Sequence, residues 1–172
     1  MRTFTTVAML AVLTAVPAVA QQPDQPKPGP EHAMLKAREG TWATVMNAGG
    51  TECKGTTTYK MELGGLWLCG STEVDMGGMK FAGKSLDTYD AASRKFVGVW
   101  ADSMGTKPMT LEGTYDAKTK TLTSTTQAPG PDGKVVTWKA VDKQVDADTI
   151  DFKMFVGDAK EPMFTITYKR KK

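Results

Sequence analysis

The feature that most limits the fold of this chain is a turn signal that recurs about every ten residues after Gly40. The turn segments, rich in glycine, aspartate and proline, are NAGG, LGG, DMGGM, YDAAS, DSMGT, YDAKT, APGPDG, DKQVDAD and GDAKEP. Between them lie short runs rich in Thr, Val, Phe, Tyr and Trp, which are residues that favour strands. The runs predict ten strands, beginning near Trp42, Thr51, Leu66, Lys80, Lys95, Met109, Thr119, Lys134, Thr149 and Met163.

The last of these runs has the alternation of a strand with one buried face. Phe164, Ile166 and Tyr168 share one side of it, and Thr165 and Thr167 share the other. A meander of such strands must protect its two edges, and closure into a barrel removes them. The sequence therefore predicts an all-β fold, an antiparallel up-and-down β-barrel of about ten strands. A two-sheet sandwich is the alternative.

The first twenty residues have a different character from the rest. Arg2 precedes the apolar run VAMLAVLTAVPAVA, which ends in Ala18-Val19-Ala20. A positive charge, an apolar core and an A-x-A site are typical of a secretory signal peptide, and the run is shorter than the roughly 20 residues of a spanning helix. Residues 1–20 are therefore predicted to be a signal peptide. The protein would be periplasmic or secreted, with no membrane segment once the signal is removed.

A proline-rich leader and a short helix come next. Residues 21–30, QQPDQPKPGP, predict a disordered leader, because repeated prolines block helix and sheet hydrogen bonding. Pro30 then suits the first position of a helix, good helix formers continue to Glu39, and Gly40 ends the run. This pattern predicts a helix of about ten residues that covers one end of the barrel. Residues 31–172 would form a single β-barrel domain. The whole chain carries a formal net charge of +3, which does not favour nucleic acid as a partner.

Cys53 and Cys69 are the two cysteines of the chain. Export into an oxidising compartment favours a disulfide between them. A hairpin closed at Leu63-Gly64-Gly65 would leave the two about five residues out of register, so a bridge needs a bulge or a different strand pairing. Two free buried thiols are the alternative, and a catalytic or metal-binding pair is the third.

Catalytic and metal-binding patterns are weak in this sequence. His32 is the only histidine, and although Ser103 and Asp102 could complete a catalytic triad on paper, no G-x-S-x-G motif supports one. A zinc site needs three or four ligands. Met76 and Met79 could contribute to a copper(I) site, but methionine more often lines adaptable apolar pockets. We therefore expect no catalytic residue, no bound metal and no cofactor.

The helix that leads into Gly40-Thr41-Trp42, the meander of strands and Arg170 in the last strand together resemble the calycin superfamily of lipocalins and fatty-acid-binding proteins. In those families a tryptophan lies at the base of the barrel and a late arginine packs over it. The resemblance thus implies a contact between Arg170 and Trp42 that closes the barrel around Gly40. Some relatives bind haem through one histidine on the far barrel wall, which is not where His32 lies.

A longer pattern resembles the bacterial domain-of-unknown-function 1579 family. Its segments are Pro28-Gly29-Pro30-Glu31-His32, Gly40-x-Trp42, Leu63-Gly64-Gly65, Tyr89-Asp90, Trp100-x-Asp102-Ser103 and Tyr168-Lys169-Arg170. Thr88, where a glycine is expected, and the two cysteines depart from it. The resemblance implies a calycin-like fold and brings no established activity.

The leading hypothesis for function is a binding protein that holds a small hydrophobic or amphipathic ligand inside the barrel. Aromatic and carboxylate groups at strand ends and apolar residues on the walls are the candidate ligand-binding residues: Trp100, Asp102, Tyr89, Met109, Met154 and Phe164. A filled barrel that serves as a protein interaction module is the alternative, and an enzyme is the third hypothesis. The sequence carries no signal for the oligomeric state.

Overall fold

Closure of the sheet is the central feature of the architecture. In a computed structural model that describes residues 25–172, ten antiparallel strands each pair with their sequence neighbours, and the first also pairs with the last. The predicted all-β, up-and-down barrel is therefore confirmed, and the sandwich is excluded. The predicted signal peptide and residues 21–24 of the leader lie outside the described residues.

One helix, one short turn of 3₁₀ helix and the ten strands make up the secondary structure. The helix α1 spans His32–Lys36, and the 3₁₀ turn spans Leu63–Gly65. The strands are β1 Gly40–Ala48, β2 Thr51–Glu62, β3 Trp67–Met76, β4 Met79–Asp90, β5 Lys95–Asp102, β6 Met109–Asp116, β7 Thr121–Pro129, β8 Val135–Asp146, β9 Thr149–Val156 and β10 Phe164–Arg170. No helix in the described part of the chain has the length and apolar character needed to cross a lipid bilayer.

The turn between β3 and β4 shows how the turn residues in the sequence produce a hairpin. Met76 pairs with Met79, so only Gly77 and Gly78 connect the strands. Both glycines have positive φ angles, 69° and 95°, which glycine adopts without a steric penalty. The carboxylate of Asp75 accepts a hydrogen bond from the Gly78 N–H at 2.7 Å and fixes the turn. Local chemistry alone thus sets the register of this hairpin.

Arg170 and Trp42 lie at the end of the barrel that α1 covers, where β1 begins and β10 ends. This end is here called the closed end. The two are register partners, and the guanidinium carbon of Arg170 lies 4.1 Å from the centroid of the Trp42 ring. Arg170 also donates hydrogen bonds to the carbonyl oxygens of Glu39 and Ala37. The fully buried Trp42 donates through Nε1 to the carbonyl oxygen of Arg38 at 2.9 Å. The contact implied by the calycin resemblance is present in the structure.

The helix is shorter than the predicted ten residues. After Lys36 the chain tightens, because the N–H of Arg38 bonds the carbonyl of Leu35 and the N–H of Glu39 bonds that of Lys36. These three-residue hydrogen bonds are those of a 3₁₀ turn. The segment turns because its carbonyls bind Arg170 and Trp42, which override the helix propensity of its side chains.

The end of the predicted disordered leader is held against the helix. The N–H of Gly29 donates to Nδ1 of His32 at 3.0 Å, and the N–H of His32 donates to the carbonyl of Gly29 at 3.1 Å. His32 itself is buried. Its imidazole therefore links the end of the leader to the first turn of α1.

The disulfide interpretation is wrong in this structure, where Cys53 and Cys69 are both free thiols. In the β2–β3 pairing, Cys69 is opposite Lys60, and Cys53 instead pairs with Met46 of β1. The alternation of the strands also places Cys53 on the inner face of the barrel and Cys69 on the outer face. Two thiols on opposite faces of a sheet cannot be bridged.

We expect Arg170→Ala to lower the free energy of unfolding by about 2–4 kcal/mol, because it removes a cation–π contact, the charge-assisted hydrogen bonds to three backbone carbonyls and the ion pair with Asp148. Urea unfolding followed by tryptophan fluorescence measures the change. Lys139→Ala is the matched control, since its ammonium lies 4.8 Å from the Phe155 ring on the exposed surface. That change should cost less than about 1 kcal/mol. Equal losses in the two variants would contradict the assigned role of Arg170.

Candidate functional site

The interior of the barrel contains a cavity of about 550 Å³. Such a volume is typical of sites for small molecules. Most of the side chains around it are aliphatic, aromatic or methionine: Leu35, Met46, Leu68, Val74, Met76, Phe81, Phe96, Trp100, Met109, Leu111, Leu122, Trp138, Phe152, Met154, Met163, Phe164 and Ile166. The inward faces of the strands therefore form an apolar container rather than a packed core.

The two ends of the cavity differ in character. At the helix end, Leu35 packs with Leu68 and Phe96, so α1 acts as a plug. The opposite end, here called the hairpin end, is formed by the turns that follow β1, β3, β5, β7 and β9. Its lining includes Met46, Met76, Met104, Met109 and Met163, of which Met104 and Met163 are about half exposed or more. The cavity thus has a packed floor and a mouth of flexible thioether side chains.

Trp100 forms a rigid part of the wall near the mouth. Its ring lies against Gly83, where a Cβ atom would fall 2.3 Å from the ring, and it stacks with Phe81 at a centroid distance of 6.3 Å. Its Nε1 donates to Asp102 at 2.7 Å, and Asp102 also accepts from the N–H of Met104 at 2.9 Å. Asp102 therefore fixes the orientation of the indole.

A buried ion pair lies at the floor of the cavity. Arg38, from the segment after α1, binds Asp142 of β8 through both terminal nitrogens, at 2.6 and 2.7 Å. Burial opposes the charge on Arg38, but the attraction and hydrogen bonds of Asp142 outweigh it and raise the pKa of the guanidinium. The remaining donor, Nε, is buried and has no hydrogen-bond partner among residues 25–172. The pair joins the plug to the far wall of the barrel.

Asp87 of β4 is a second carboxylate that lines the same cavity. Burial raises its pKa to about 6, and the Ser85 hydroxyl and the charge of Arg38 offset this only in part. Ser85 is its one hydrogen-bonding neighbour among the described residues. Its register partner is Gly98, where a Cβ atom would lie 2.4 Å from the Asp87 Oδ1 atom. A glycine at position 98 therefore gives the carboxylate the space it occupies.

Two tyrosines complete the polar floor. Burial is the main cause that raises the pKa of both Tyr59 and Tyr168, and the two hydroxyl groups are hydrogen-bonding neighbours. Both side chains line the cavity. They therefore remain neutral phenols.

Most of the ligand-binding residues predicted from the sequence line the cavity. These are Trp100, Asp102, Met109, Met154 and Phe164.

Tyr89 is the exception, because it is not among the residues that line the cavity. Its ring lies 6.5 Å from that of His32 in an edge-on arrangement and 5.2 Å from that of Phe96. It packs under the helix, as part of the plug.

The triad of His32, Asp102 and Ser103 does not form. His32 lies in the plug, whereas Asp102 and Ser103 lie at the hairpin end, where the Ser103 hydroxyl accepts a hydrogen bond from the N–H of Ala82. Among residues 25–172, no three histidine, cysteine or acidic side chains are grouped to hold a metal ion. Met76 lines the cavity, but Met79 is about half exposed and is not among its lining residues.

The sequence interpretation missed the polar floor. A period-two signal for part of it exists, because Trp138, Ala140 and Asp142 alternate along β8 and share the inward face. Asp87 follows the same rule along β4 with Phe81. Arg38 has no such signal, since it lies in a run of helix formers and its direction depends on the turn after Lys36.

Asp142→Asn should lower the free energy of unfolding by about 3–5 kcal/mol at pH 7, because it leaves the buried charge of Arg38 without its main partner. Chemical denaturation measures the loss. Glu112→Gln provides the control, since Glu112 pairs with Lys95 at 2.6 Å on the exposed surface and should cost less than about 1 kcal/mol. The double variant Arg38→Met/Asp142→Leu should recover most of the stability. A mild loss in Asp142→Asn would refute the electrostatic role of the pair.

Asp87→Asn should have the opposite effect and raise stability at pH 7.5 by about 1–3 kcal/mol. The folded pKa of about 6 lies above the ordinary value of 3.8, so the folded state keeps a proton that the unfolded chain releases. The Asp87 contribution to stability is therefore present below about pH 4 and lost as pH rises to about 6.

Unfolding free energies of Asp87→Asn and the unchanged protein should thus converge near pH 4, separate as the pH rises to about 6, and differ by a constant amount above that. Asp90→Asn is the control of opposite sign, because Asp90 accepts hydrogen bonds from Ser93 and Ala92 that lower its pKa. It should not stabilise the protein at any pH. A pH-independent difference for Asp87→Asn would contradict the assignment of this carboxylate.

Comparison with known proteins gives the family but not the activity. A search of curated protein sequences finds no match. The model of the family described as "Protein of unknown function (DUF1579)" matches residues 27–170, which include the plug, the ten strands and the polar floor. This match confirms the resemblance found in the sequence. With its calycin-like barrel, the chain belongs to the DUF1579 family.

Proposed function

We propose that this protein is exported and binds a small hydrophobic or amphipathic molecule inside its barrel. The signal-peptide pattern of residues 1–20 supports export to the periplasm or the exterior. The cavity supports binding, because its walls are mainly apolar and a few polar groups lie at one end. That combination is the usual design of a small-molecule site.

The observation that carries the proposal is the open volume itself. Protein interiors normally pack as densely as organic crystals, and each unfilled space lowers stability. About 550 Å³ of open space inside a small barrel is far more than a packing defect. A sequence selected for stability alone would fill the space with larger inward side chains. The retained volume therefore supports binding of a small molecule in the cavity.

The mouth supports entry of such a molecule. Methionine side chains are unbranched and flexible, so they can move aside and repack around apolar molecules of different shape. Met104 and Met163 line the cavity and are 64% and 49% exposed, which places thioether groups at the boundary with solvent. The alternative of a filled barrel used as an interaction module requires a packed interior, and the open volume speaks against it.

Two measurements test the proposal. Native mass spectrometry of protein purified from its own host should detect a co-purifying small molecule. Titration with the neutral fluorescent probe N-phenyl-1-naphthylamine should show saturable binding, because the probe gains fluorescence in an apolar cavity.

Ala140→Phe is the informative variant, because Ala140 is 4% exposed and faces the cavity, so a larger side chain occupies the ligand volume. We expect it to weaken probe binding by about tenfold or more, a change of roughly 1.4 kcal/mol. Lys143→Phe, on the exposed outer face of the same strand, should leave binding unchanged. Absence of both a co-purifying molecule and saturable probe binding would refute the proposed function.

A further inference from the structure

We infer that the preferred ligand is an amphipathic amine, whose cationic head binds Asp87 at the floor and whose apolar part extends toward the methionine mouth. The inference rests on the proposed function, since it specifies the ligand of the same cavity. The floor of the cavity would select an amphipathic amine over an amphipathic carboxylate.

The charges around the cavity favour a cation. Among the described residues that line it, the ionised side chains are the three carboxylates of Asp87, Asp102 and Asp142 and the single guanidinium of Arg38. Both terminal nitrogens of that guanidinium bind Asp142, and its Nε is buried. The positive charge of Arg38 is therefore balanced by Asp142, and no unbalanced positive charge remains at the floor to attract a ligand carboxylate.

Asp87 is the acceptor that the fold leaves unused. It lines the cavity, its hydrogen-bonding neighbour is the small hydroxyl of Ser85, and Gly98 opposite has no side chain to cover it. A buried carboxylate without a counter-ion is costly, which is the physical origin of its raised pKa. A protonated amine next to it would supply the missing positive charge and an N–H donor. An anionic head would add a third negative charge beside Asp87 and Asp142.

The remaining polar groups of the floor do not compete for this role. Tyr59 and Tyr168 are neutral and neighbour each other, and the buried threonines Thr44, Thr57 and Thr72 form a chain of hydroxyl hydrogen bonds of 3.0 and 2.9 Å. These groups satisfy one another. Asp87 is thus the floor carboxylate without a strong partner among the described residues, because Asp142 is engaged by Arg38.

The cavity provides room for an apolar tail that runs from Asp87 at the floor toward the mouth. Asp87 and Phe81 both line it on β4, and the six residue steps of strand from one to the other correspond to about 20 Å. Phe81 stacks with Trp100 near the mouth. A chain bound head-down at Asp87 would therefore lie against aromatic and methionine side chains along its length.

The test is a displacement series with three molecules that differ only in the head group: dodecylamine, 1-dodecanol and dodecanoate. The amine and the carboxylate are titrated below their micelle concentrations and the alcohol below its solubility limit, each against N-phenyl-1-naphthylamine bound to the full chain at pH 7.5. We expect the amine to displace the probe at about tenfold lower concentration than dodecanoate, with the alcohol between them. In Asp87→Asn the amine should lose about tenfold in affinity and approach the alcohol.

Asp151→Asn is the matched control, because Asp151 lies on the outer face of β9 and accepts a hydrogen bond from the Thr167 hydroxyl. It removes one carboxylate and should leave the amine preference unchanged. Binding of 1-dodecanol, measured in every variant, reports whether the cavity is intact.

The outcomes separate the two proposals. Dodecanoate binding as tightly as the amine would overturn the inference while the binding function stands. An amine preference that persists in Asp87→Asn would overturn the role of Asp87. If neither the probe nor any of the three molecules binds, both the inference and the proposed function fail.

Discussion

The stacking of Arg170 on Trp42 is the interaction on which the other parts of the structure depend. It joins the last strand to the first, and the hydrogen bonds of Arg170 to the carbonyls of Ala37 and Glu39 attach the segment after the helix to the same point. That attachment shapes the turn from which Arg38 reaches Asp142. Barrel closure, the position of the plug and the charge of the cavity floor are therefore consequences of one packed end.

Stabilising contacts are concentrated at that end. The two apolar clusters, one around Leu35 and Leu68 and the other around Trp42 and Ile150, both contain residues of the closed end. The hairpin end is held mainly by strand pairing and by turns with aspartate and glycine. This division lets a barrel with a large internal cavity remain a defined structure, because most of the packed contacts lie at the end that α1 covers.

The sequence predicted the barrel well because its information is local. Turn residues and period-two alternation mark each hairpin, and Gly40, Trp42 and Arg170 mark the closure. The structure differs from the sequence pattern where three-dimensional context decides. The helix ends early because Arg170 and Trp42 donate hydrogen bonds to the carbonyls that follow it, and Tyr89 packs against His32 and does not line the cavity. The cysteines were placed on neighbouring strands correctly, but the strand register sets them on opposite faces. Arg38 was unpredictable for the same reason, since only the folded turn directs it inward.

The pairing order has a consequence for how the chain reaches this structure. Each strand pairs with the strands next to it in sequence, and the β1–β10 pair is the exception, so nearly all contacts can form in short hairpins. The exception joins two segments more than one hundred residues apart. The strand β1 therefore lacks its second partner until β10 is available. The barrel can close only once β10 has paired with β1, and the interior then becomes a separate compartment.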